Sequence, residues 1–282
     1  MHRIRLRTLA LVAMLGLAGP LAAQTLRMMS FNVRLPVASD GPNRWEQRRD
    51  LLVRTVRERH PDVLGTQELY KLQGDYIVGT LPDYAWFGEG RYGGDRDEHM
   101  GVFYRRDRLR LLDSGNFWLS DTPDVPGSIS WGHPLPRMVT WARFEDRRNG
   151  RTFYYYNTHF PYRDQDTDAR NRAAQEIAAR VAGLPPHAPV VLTGDFNTEP
   201  SSQAHALLGG VLRDARQAVA HPDGPEATFH DFTGTPDRRI DWILVRGFRP
   251  LDYATVTTHE GGRYPSDHFP VVTDLEWDTP AK

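Results

Sequence analysis

The stretch Ser266-Asp267-His268-Phe269-Pro270-Val271, near the end of this 282-residue chain, decides how the rest of the sequence is interpreted. A second unusual stretch, Thr193-Gly194-Asp195-Phe196-Asn197-Thr198, lies upstream. Each stretch adjoins a short run rich in valine and leucine, which is typical of a buried strand. Sheet enzymes present polar side chains where their strands end, so the two stretches predict one shared, metal-assisted hydrolytic site.

The same pattern recurs elsewhere, because further polar side chains stand at the ends of predicted strands: Asn32, Glu68, His159 and Asp241. Carboxylates that converge without a partner repel one another, and their pKa values rise. A hard divalent cation removes that cost and prefers oxygen ligands. The absence of cysteine and the few histidines per predicted ligand set favour Mg²⁺ or Mn²⁺ over zinc.

Alternating and continuous apolar runs predict nine strands, at residues 26–33, 62–68, 100–104, 108–112, 138–144, 152–158, 189–193, 240–245 and 271–275. Amphipathic helices are predicted at 45–60 and 169–181, with a short helix at 202–208. Strands outnumber helices, and helices separate some of them. The pattern predicts an α/β fold in which two sheets pack face to face with helices outside them.

The first 23 residues have the order of a secretory signal peptide: three arginines, an apolar run at 9–18, and small residues up to Ala23. A membrane anchor is the alternative, but the run is short for a bilayer span. Cleavage near Ala23 would lower the formal net charge from −1 to −4. We therefore expect a periplasmic or secreted monomer with one catalytic domain, residues 24–282, and no transmembrane segment in the mature chain.

Six segments in order resemble the motifs of the endonuclease/exonuclease/phosphatase family, which includes pancreatic deoxyribonuclease, neutral sphingomyelinases and inositol polyphosphate 5-phosphatases. The segments are Ser30-Phe31-Asn32-Val33, Thr66-Gln67-Glu68, Asn157-Thr158-His159, Gly194-Asp195-Phe196-Asn197, Arg239-Ile240-Asp241-Trp242-Ile243 and Ser266-Asp267-His268-Phe269-Pro270. The resemblance spans nearly all of residues 25–276 and implies a four-layer α/β/β/α sandwich with two mixed sheets. Phe117-Trp118-Leu119-Ser120 is similar to a secreted bacterial branch of the family.

The resemblance also implies a metal site and a substrate site. Glu68 is expected to be the principal ligand of Mg²⁺ or Mn²⁺, with Asn32 and Asp267 beside it. Arg137 and Arg170 are candidate phosphate contacts, although each could equally be an ordinary surface cation. One departure concerns the residues after His159-Phe160, where Pro161-Tyr162-Arg163 stands in place of the Asp-His pair usual in the bacterial branch.

The catalytic roles follow from the same resemblance. His268, oriented by Asp241, is expected to be the general base for the attacking water, and Asp195 is the alternative base. Asn197 is expected to donate a hydrogen bond to the phosphate. His159, paired with Glu98, is expected to act as general acid or to stabilise the transition state. The structural alternative for Asp241 is a buried ion pair with Arg239.

These features favour a secreted, metal-dependent phosphoesterase, with a phosphodiester as the expected substrate class. An extracellular nuclease remains an alternative, although the charge of the mature chain disfavours long polyanions. A sphingomyelinase or phosphoinositide phosphatase would need a membrane-facing loop, for which the segment around Trp131 is a candidate. A non-enzymatic binding module is the remaining alternative, and the complete set of motifs argues against it.

Overall fold

The computed structural model describes residues 25–278, so the predicted leader at 1–23 lies outside the described residues. These residues form thirteen strands, most of them short. The strands are β1 (Thr25–Asn32), β2 (Val63–Gln67), β3 (Tyr84–Phe87), β4 (Val102–Arg105), β5 (Leu109–Trp118), β6 (Met138–Asp146), β7 (Thr152–His159), β8 (Val190–Asp195), β9 (Arg213–Asp214), β10 (Asp241–Arg246), β11 (Phe248–Pro250), β12 (Ala254–Thr255) and β13 (Val271–Trp277).

The strands form two mixed sheets. The first has the order β11-β13-β1-β2-β4-β3, with β12 paired to β13, and the second has the order β5-β6-β7-β8-β10-β9. In each sheet one central pair is parallel, β1 with β2 and β7 with β8, while its other pairs are antiparallel. The carboxyl ends of these parallel pairs are where the polar motifs stand.

Helices cover the outer faces of both sheets, as α1 (Trp45–Arg59), α2 (Lys71–Thr80), α3 (Thr167–Ala182) and α4 (Gln203–Gly209), with 3-10 turns at Ala38–Asn43 and Asp164–Asp166. Three apolar clusters separate the resulting layers. One lies between the sheets, one joins α1 and α2 to the first sheet, and one joins α3 and α4 to the second. The expected four-layer α/β/β/α sandwich is therefore confirmed. No helix among residues 25–278 has the length and apolar character needed to cross a membrane.

Strand periodicity places side chains on opposite faces of each strand, and β8 illustrates the pattern. Val191 packs between the sheets, whereas Val190 and Leu192 face α3 and α4. The predicted elements all recur, with ends displaced by a few residues. Strands β3, β9, β11 and β12, each of two to four residues, were not predicted. Helix α2 was also missed, because Gly74 and Gly79 weaken its helical signal.

The two sheets approach each other closely at Gly65 in β2. A Cβ atom there would lie 2.5 Å from the Tyr155 hydroxyl and 2.6 Å from Asn157 Oδ1, and closer still to Thr193 Oγ1. Those three side chains belong to the second sheet and are hydrogen-bonded together. Glycine therefore permits a polar contact between the sheets that any larger residue would force apart.

We predict that Gly65→Ala lowers the free energy of unfolding by about 1–3 kcal/mol, because the added methyl group overpacks a filled layer. Gly79→Ala is the matched control, since that helical position has no atom within 4 Å of the added Cβ. It should be neutral or stabilising by up to about 1 kcal/mol. Urea unfolding of both variants tests this, and equal stabilities would contradict the close approach.

Candidate active site

The polar motifs meet in one cleft, of about 340 Å³, at the edge where the central strands of both sheets end. The first sheet contributes Asn32, the last residue of β1, and Glu68, which directly follows β2. The second sheet contributes the last residues of β7 and β8, His159 and Asp195. The remaining motif residues enter from β10, which begins with Asp241, and from the segment before β13, which carries Asp267 and His268.

A buried hydrogen-bond network beneath the cleft joins the two sheets. Gln67 Nε2 of β2 donates to Asn157 Oδ1 of β7 at 2.7 Å. Asn157 Nδ2 in turn donates to the Thr66 carbonyl at 2.7 Å. Gln67 directly precedes Glu68, and Asn157 stands two residues before His159. The amide pair therefore fixes the distance between the two halves of the site.

Asn32, Glu68 and Asp267, the expected metal ligands, come together on the side of the first sheet. Asn32 Nδ2 donates to Glu68 Oε1 at 3.1 Å and to Asp195 Oδ2 at 2.9 Å. Arg34 Nη1 lies 3.9 Å from Glu68 Oε2 and 3.6 Å from Asp267 Oδ2. Burial raises the pKa of the Asp267 carboxyl. Glu68, whose side chain is 13% exposed, and the buried Asp267 supply carboxylate oxygens that suit a hard divalent cation, whereas Asn32 Oδ1 accepts from the Arg34 backbone N–H at 3.0 Å.

Arg48 of α1 fastens the loops that carry these ligands. Its side chain is fully buried and forms no ion pair among the described residues. Nη1 donates to the carbonyls of Val33 and Pro265, at 2.6 and 3.0 Å, and Nη2 donates to that of Arg34 at 2.6 Å. One guanidinium thus joins the loop after Asn32 to the segment before Asp267. Burial lowers the pKa of Arg48 to about 10.

Three residues of the cleft have left-handed backbone conformations that favour glycine. Arg34, Glu68 and Asn197 have φ values of 55°, 58° and 48°. Such conformations cost about 1–3 kcal/mol each outside glycine, and they concentrate at functional sites. The turn at Glu68 directs its carboxylate back towards Asn32 rather than along the strand. The strain is evidence, independent of the motifs, that this edge is specialised.

His268 and Asp241 form a hydrogen-bonded pair, with 2.9 Å between His268 Nδ1 and Asp241 Oδ2. Thr228 Oγ1 also donates to Asp241 Oδ2, at 2.6 Å. Burial acts to lower the pKa of His268, but the carboxylates of Asp241, Asp195 and Asp267 outweigh it and raise the pKa to about 10. The imidazole is therefore protonated at neutral pH in the metal-free chain.

Asp195 lies between the two histidines. Its Oδ2 is 3.8 Å from His268 Nε2 and 3.4 Å from His159 Nε2. Burial and the nearby Asp241 carboxylate raise the pKa of Asp195 to about 7. Asp195, Asp241 and His268 form a buried acidic and histidine group whose ligand atoms could hold a metal ion. Glu68 and Asp267, the carboxylates expected from the sequence to bind a metal, are not members of this group.

His159 and Glu98 lie side by side in the wall of the cleft, 3.8 Å apart from Nδ1 to Oε2, which is longer than a hydrogen bond. Burial, followed by the charge of Arg137, lowers the pKa of His159 well below its usual value. Burial and repulsion from Glu68 raise the pKa of Glu98 to about 7. His159 is consequently a neutral imidazole at neutral pH and can donate a hydrogen bond without carrying charge.

Asn197 lines the cleft, but its amide already has a partner. Nδ2 donates to the Phe160 carbonyl at 3.1 Å, and the backbone N–H donates to Asp195 Oδ1 at 3.0 Å. In this conformation Asn197 braces the turn that carries Asp195. A hydrogen bond from Asn197 to phosphate would require its side chain to change partner.

The two arginines expected to contact phosphate differ in position. Arg137 lines the cleft and is buried, and no hydrogen bond from its guanidinium is found among the described residues. Burial lowers its pKa. Arg170 lies outside the cleft, where it donates to the carbonyls of Pro161 and Arg163 at 3.0 and 2.8 Å. The expectation for Arg170 is therefore corrected: its donors hold the loop after β7.

The structural alternative for Asp241, a buried ion pair with Arg239, is also corrected, because Arg239 pairs with Asp214 at 2.7 Å.

Sequence reasoning missed the roles of Arg34, Arg48 and Arg91, whose charges resemble surface charges in the sequence. Arg91 lines the cleft beside Glu98, at 3.1 Å from Nη1 to Oε1. No local pattern distinguishes these arginines. Tyr162, 54% exposed, stands at the cleft where the sequence departs from the family pattern.

Comparisons with known proteins agree with this site. The sequence matches the Endonuclease/Exonuclease/phosphatase family over residues 29–268. A family member from Bacteroides thetaiotaomicron superposes with a TM-score of 0.86 at 32% identity, covering 90% of this chain and 98% of that one. A mannosyl-6-phosphatase from the same species superposes with a TM-score of 0.83 at 32% identity, covering 89% of this chain and 100% of that one.

A more distant relative is Nocturnin of Drosophila melanogaster, which is 24% identical. The match covers 92% of this chain and 48% of the relative, so the chain spans about half the length of that protein. The family match covers all six motifs apart from the last two residues of the final one. The protein therefore belongs to the endonuclease/exonuclease/phosphatase family and is a phosphoester hydrolase.

Proposed function

We propose that this protein is a divalent-metal-dependent hydrolase that uses water to cleave a small phosphoester, and that it acts outside the cytoplasm after export by its leader. One structural observation supports the proposed hydrolase activity. The carboxylates of Glu68 and Asp267, the imidazole of His268 and the unpaired guanidinium of Arg137 all line one cleft of about 340 Å³, and Asp241 is hydrogen-bonded to His268 behind it. That volume is near the lower end for small-molecule sites.

Glu68 and Asp267 would hold Mg²⁺ or Mn²⁺, and the amide oxygen of Asn32 would join them after releasing the Arg34 N–H that it now accepts. When bound, the cation supplies Lewis-acid polarisation of a phosphoryl oxygen and neutralises developing negative charge. Its positive charge would also lower the pKa of the adjacent His268. The nearby Arg34 is held by a bidentate ion pair with Asp40, which keeps its guanidinium beside the two carboxylates.

Side chains of the cleft would bind the phosphoryl group and transfer the proton of the attacking water. The phosphoryl group would lie against Arg137, which has unused donors and would gain an anionic partner. His268 or Asp195 would accept the proton of the attacking water, with Asp241 orienting the imidazole. His159 would donate a neutral hydrogen bond to a phosphoryl oxygen. All of these groups are nearly fully buried, so little water competes with the ester.

A small phosphodiester is the substrate class expected from the sequence. A sugar phosphomonoester is a second candidate, supported by the likeness to a mannosyl-6-phosphatase at 32% identity over almost the whole chain. Tyr162 at the cleft could pack its exposed ring against the apolar face of a sugar. Nucleic acid is the remaining alternative.

A hydrolysis panel tests the proposal directly. The substrates are bis-p-nitrophenyl phosphate, p-nitrophenyl phosphate, mannose 6-phosphate, DNA, RNA, sphingomyelin and a phosphoinositide, each with Mg²⁺, Mn²⁺ or a chelator. We expect turnover of at least one small ester that requires added metal. Full activity after exhaustive chelation, or no turnover of any ester with metal, would refute the proposal.

We predict that Glu68→Gln weakens Mn²⁺ binding by at least about tenfold and lowers kcat, since one anionic ligand is lost. Isothermal titration with Mn²⁺ measures the affinity independently of turnover. Glu46→Gln is the matched control, because Glu46 is exposed in the first turn of α1. Unchanged Mn²⁺ affinity in Glu68→Gln would place the cation elsewhere.

We predict that His268→Ala lowers kcat by ~100- to 10,000-fold, the usual range for a general base. Asp241→Asn should lose less, because it orients the ring without receiving the proton. His205→Ala is the control: it removes another buried His–Asp pair, with Asp214 at 2.9 Å, outside the cleft. A folded His268→Ala enzyme with a near wild-type rate would transfer the base role to Asp195.

We predict that Arg137→Met raises KM about 10- to 100-fold, because a hydrogen bond to a charged group is lost. Its melting temperature should stay the same or rise, since an unpaired buried cation is removed. Arg170→Met should behave oppositely and lose stability, because Arg170 donates to loop carbonyls. An Arg137→Met protein with normal KM would remove Arg137 from the substrate site.

A further inference from the structure

A second cleft, of about 880 Å³, lies at the opposite end of the sandwich. Strand β10 connects the two sites, because it begins at Asp241 in the active site and ends at Arg246 in this cleft. At ~3.4 Å per residue the five steps place them about 17 Å apart. Ligands of drug-like size occupy clefts of about 300–1,000 Å³. The second cleft is therefore large enough for a ligand and separate from the catalytic groups.

The charged side chains that line this cleft are mainly cationic. Arg151, Arg213 and Arg246 line it, and Asp278 is the one carboxylate among its lining residues. No ion pair within 4.0 Å involves any of these arginines in the described part of the chain, whereas Arg34, Arg91 and Arg163 in the active-site half are paired. Three guanidinium groups without carboxylate partners produce a positive potential that attracts anions.

Arg246 is fixed in place with part of its guanidinium unused. Its Nε donates to the Ala188 carbonyl at 3.0 Å, and its Nη1 donates to the Val181 carbonyl at 3.2 Å. Its Nη2 is buried and has no hydrogen-bond partner among residues 25–278. A buried donor without a partner costs free energy, and an anionic oxygen would satisfy it. Burial also lowers the pKa values of Arg246 and Arg151.

Apolar side chains lie at the floor of the cleft beside these cations; Val211 is partly exposed, whereas Leu212 and Phe248 are almost fully buried. Val211, Leu212 and Phe248 are contributed by the segment after α4 and by β11. At the rim, His187 has a left-handed backbone with φ of 62°, a conformation that concentrates at functional sites. An apolar floor with fixed cations at one side matches a ligand with an anionic head and an apolar body.

We propose that this cleft is a binding site for an amphipathic anion, with a phosphate or carboxylate head at Arg246 and Arg151 and a short apolar chain on Val211, Leu212 and Phe248. The site is independent of the phosphoesterase proposal. Its ligand would be either a soluble alkyl anion or the headgroup region of an anionic lipid, since both present the same chemistry.

Isothermal titration with octyl phosphate, in the presence of a chelator to prevent turnover, tests the proposal. We expect one saturable site in addition to any binding in the active site. The double variant Arg151→Met, Arg213→Met should weaken that site at least about tenfold, because two cations are lost while the apolar stems remain. Arg246 is left intact in this variant, since its bonds to Ala188 and Val181 support the fold.

Arg143→Met is the matched control, because Arg143 is exposed on β6 and lines neither cleft. It should bind octyl phosphate as the wild type does, and both variants should retain wild-type turnover. Octanoate and sedimentation with anionic vesicles then distinguish a soluble ligand from a lipid headgroup. Three results would overturn the proposal: no second site, equal affinity in the double variant, or equal binding of uncharged octyl glucoside.

Discussion

The hydrogen bonds from Gln67 and Thr193 to Asn157 are the interaction on which the rest of the site depends. They occupy the layer between the sheets, where most neighbours are apolar, and they fit only because Gly65 lacks a side chain. A buried hydrogen-bonded network favours one arrangement of its members, whereas apolar packing alone tolerates small shifts. The network therefore sets the separation between Glu68 of one sheet and His159 of the other.

Charge is distributed around the cleft so that almost every buried ionic group has a partner. Asp241 is balanced by His268, Arg91 by Glu98, and Arg34 by Asp40 and the carboxylates of the predicted cation site. Arg137 is the exception, because its guanidinium forms no hydrogen bond among the described residues. Under the proposed function, a substrate phosphate would be the partner that Arg137 lacks, and this charge pair would offset repulsion from the nearby carboxylates.

Arg48 shows how the helical layer supports the chemistry. It belongs to α1, on the outer face of the first sheet, and its guanidinium reaches carbonyls on both sides of the cleft entrance. Residues from the two ends of the sequence, Asn32 and Asp267, are held together in this way. At the opposite end of the sandwich, Arg151 and Arg246 also donate to carbonyls but have no carboxylate within ion-pair distance among the described residues, so the two ends of one fold differ in electrostatic character.

The sequence by itself determined the fold class, the strands that carry the motifs and the motif residues that meet at the cleft, but not the arginines Arg34 and Arg91 beside them. Strand periodicity and strand-end chemistry are local, so Glu68, Asp195 and His268 could be found without coordinates. The tertiary structure alone decided which charges pair. Arg239 meets Asp214 rather than Asp241, and Arg170 holds a loop while Arg137 faces the cleft. An arginine side chain is long, and its partner depends on contacts between residues far apart in the chain, which no local pattern encodes.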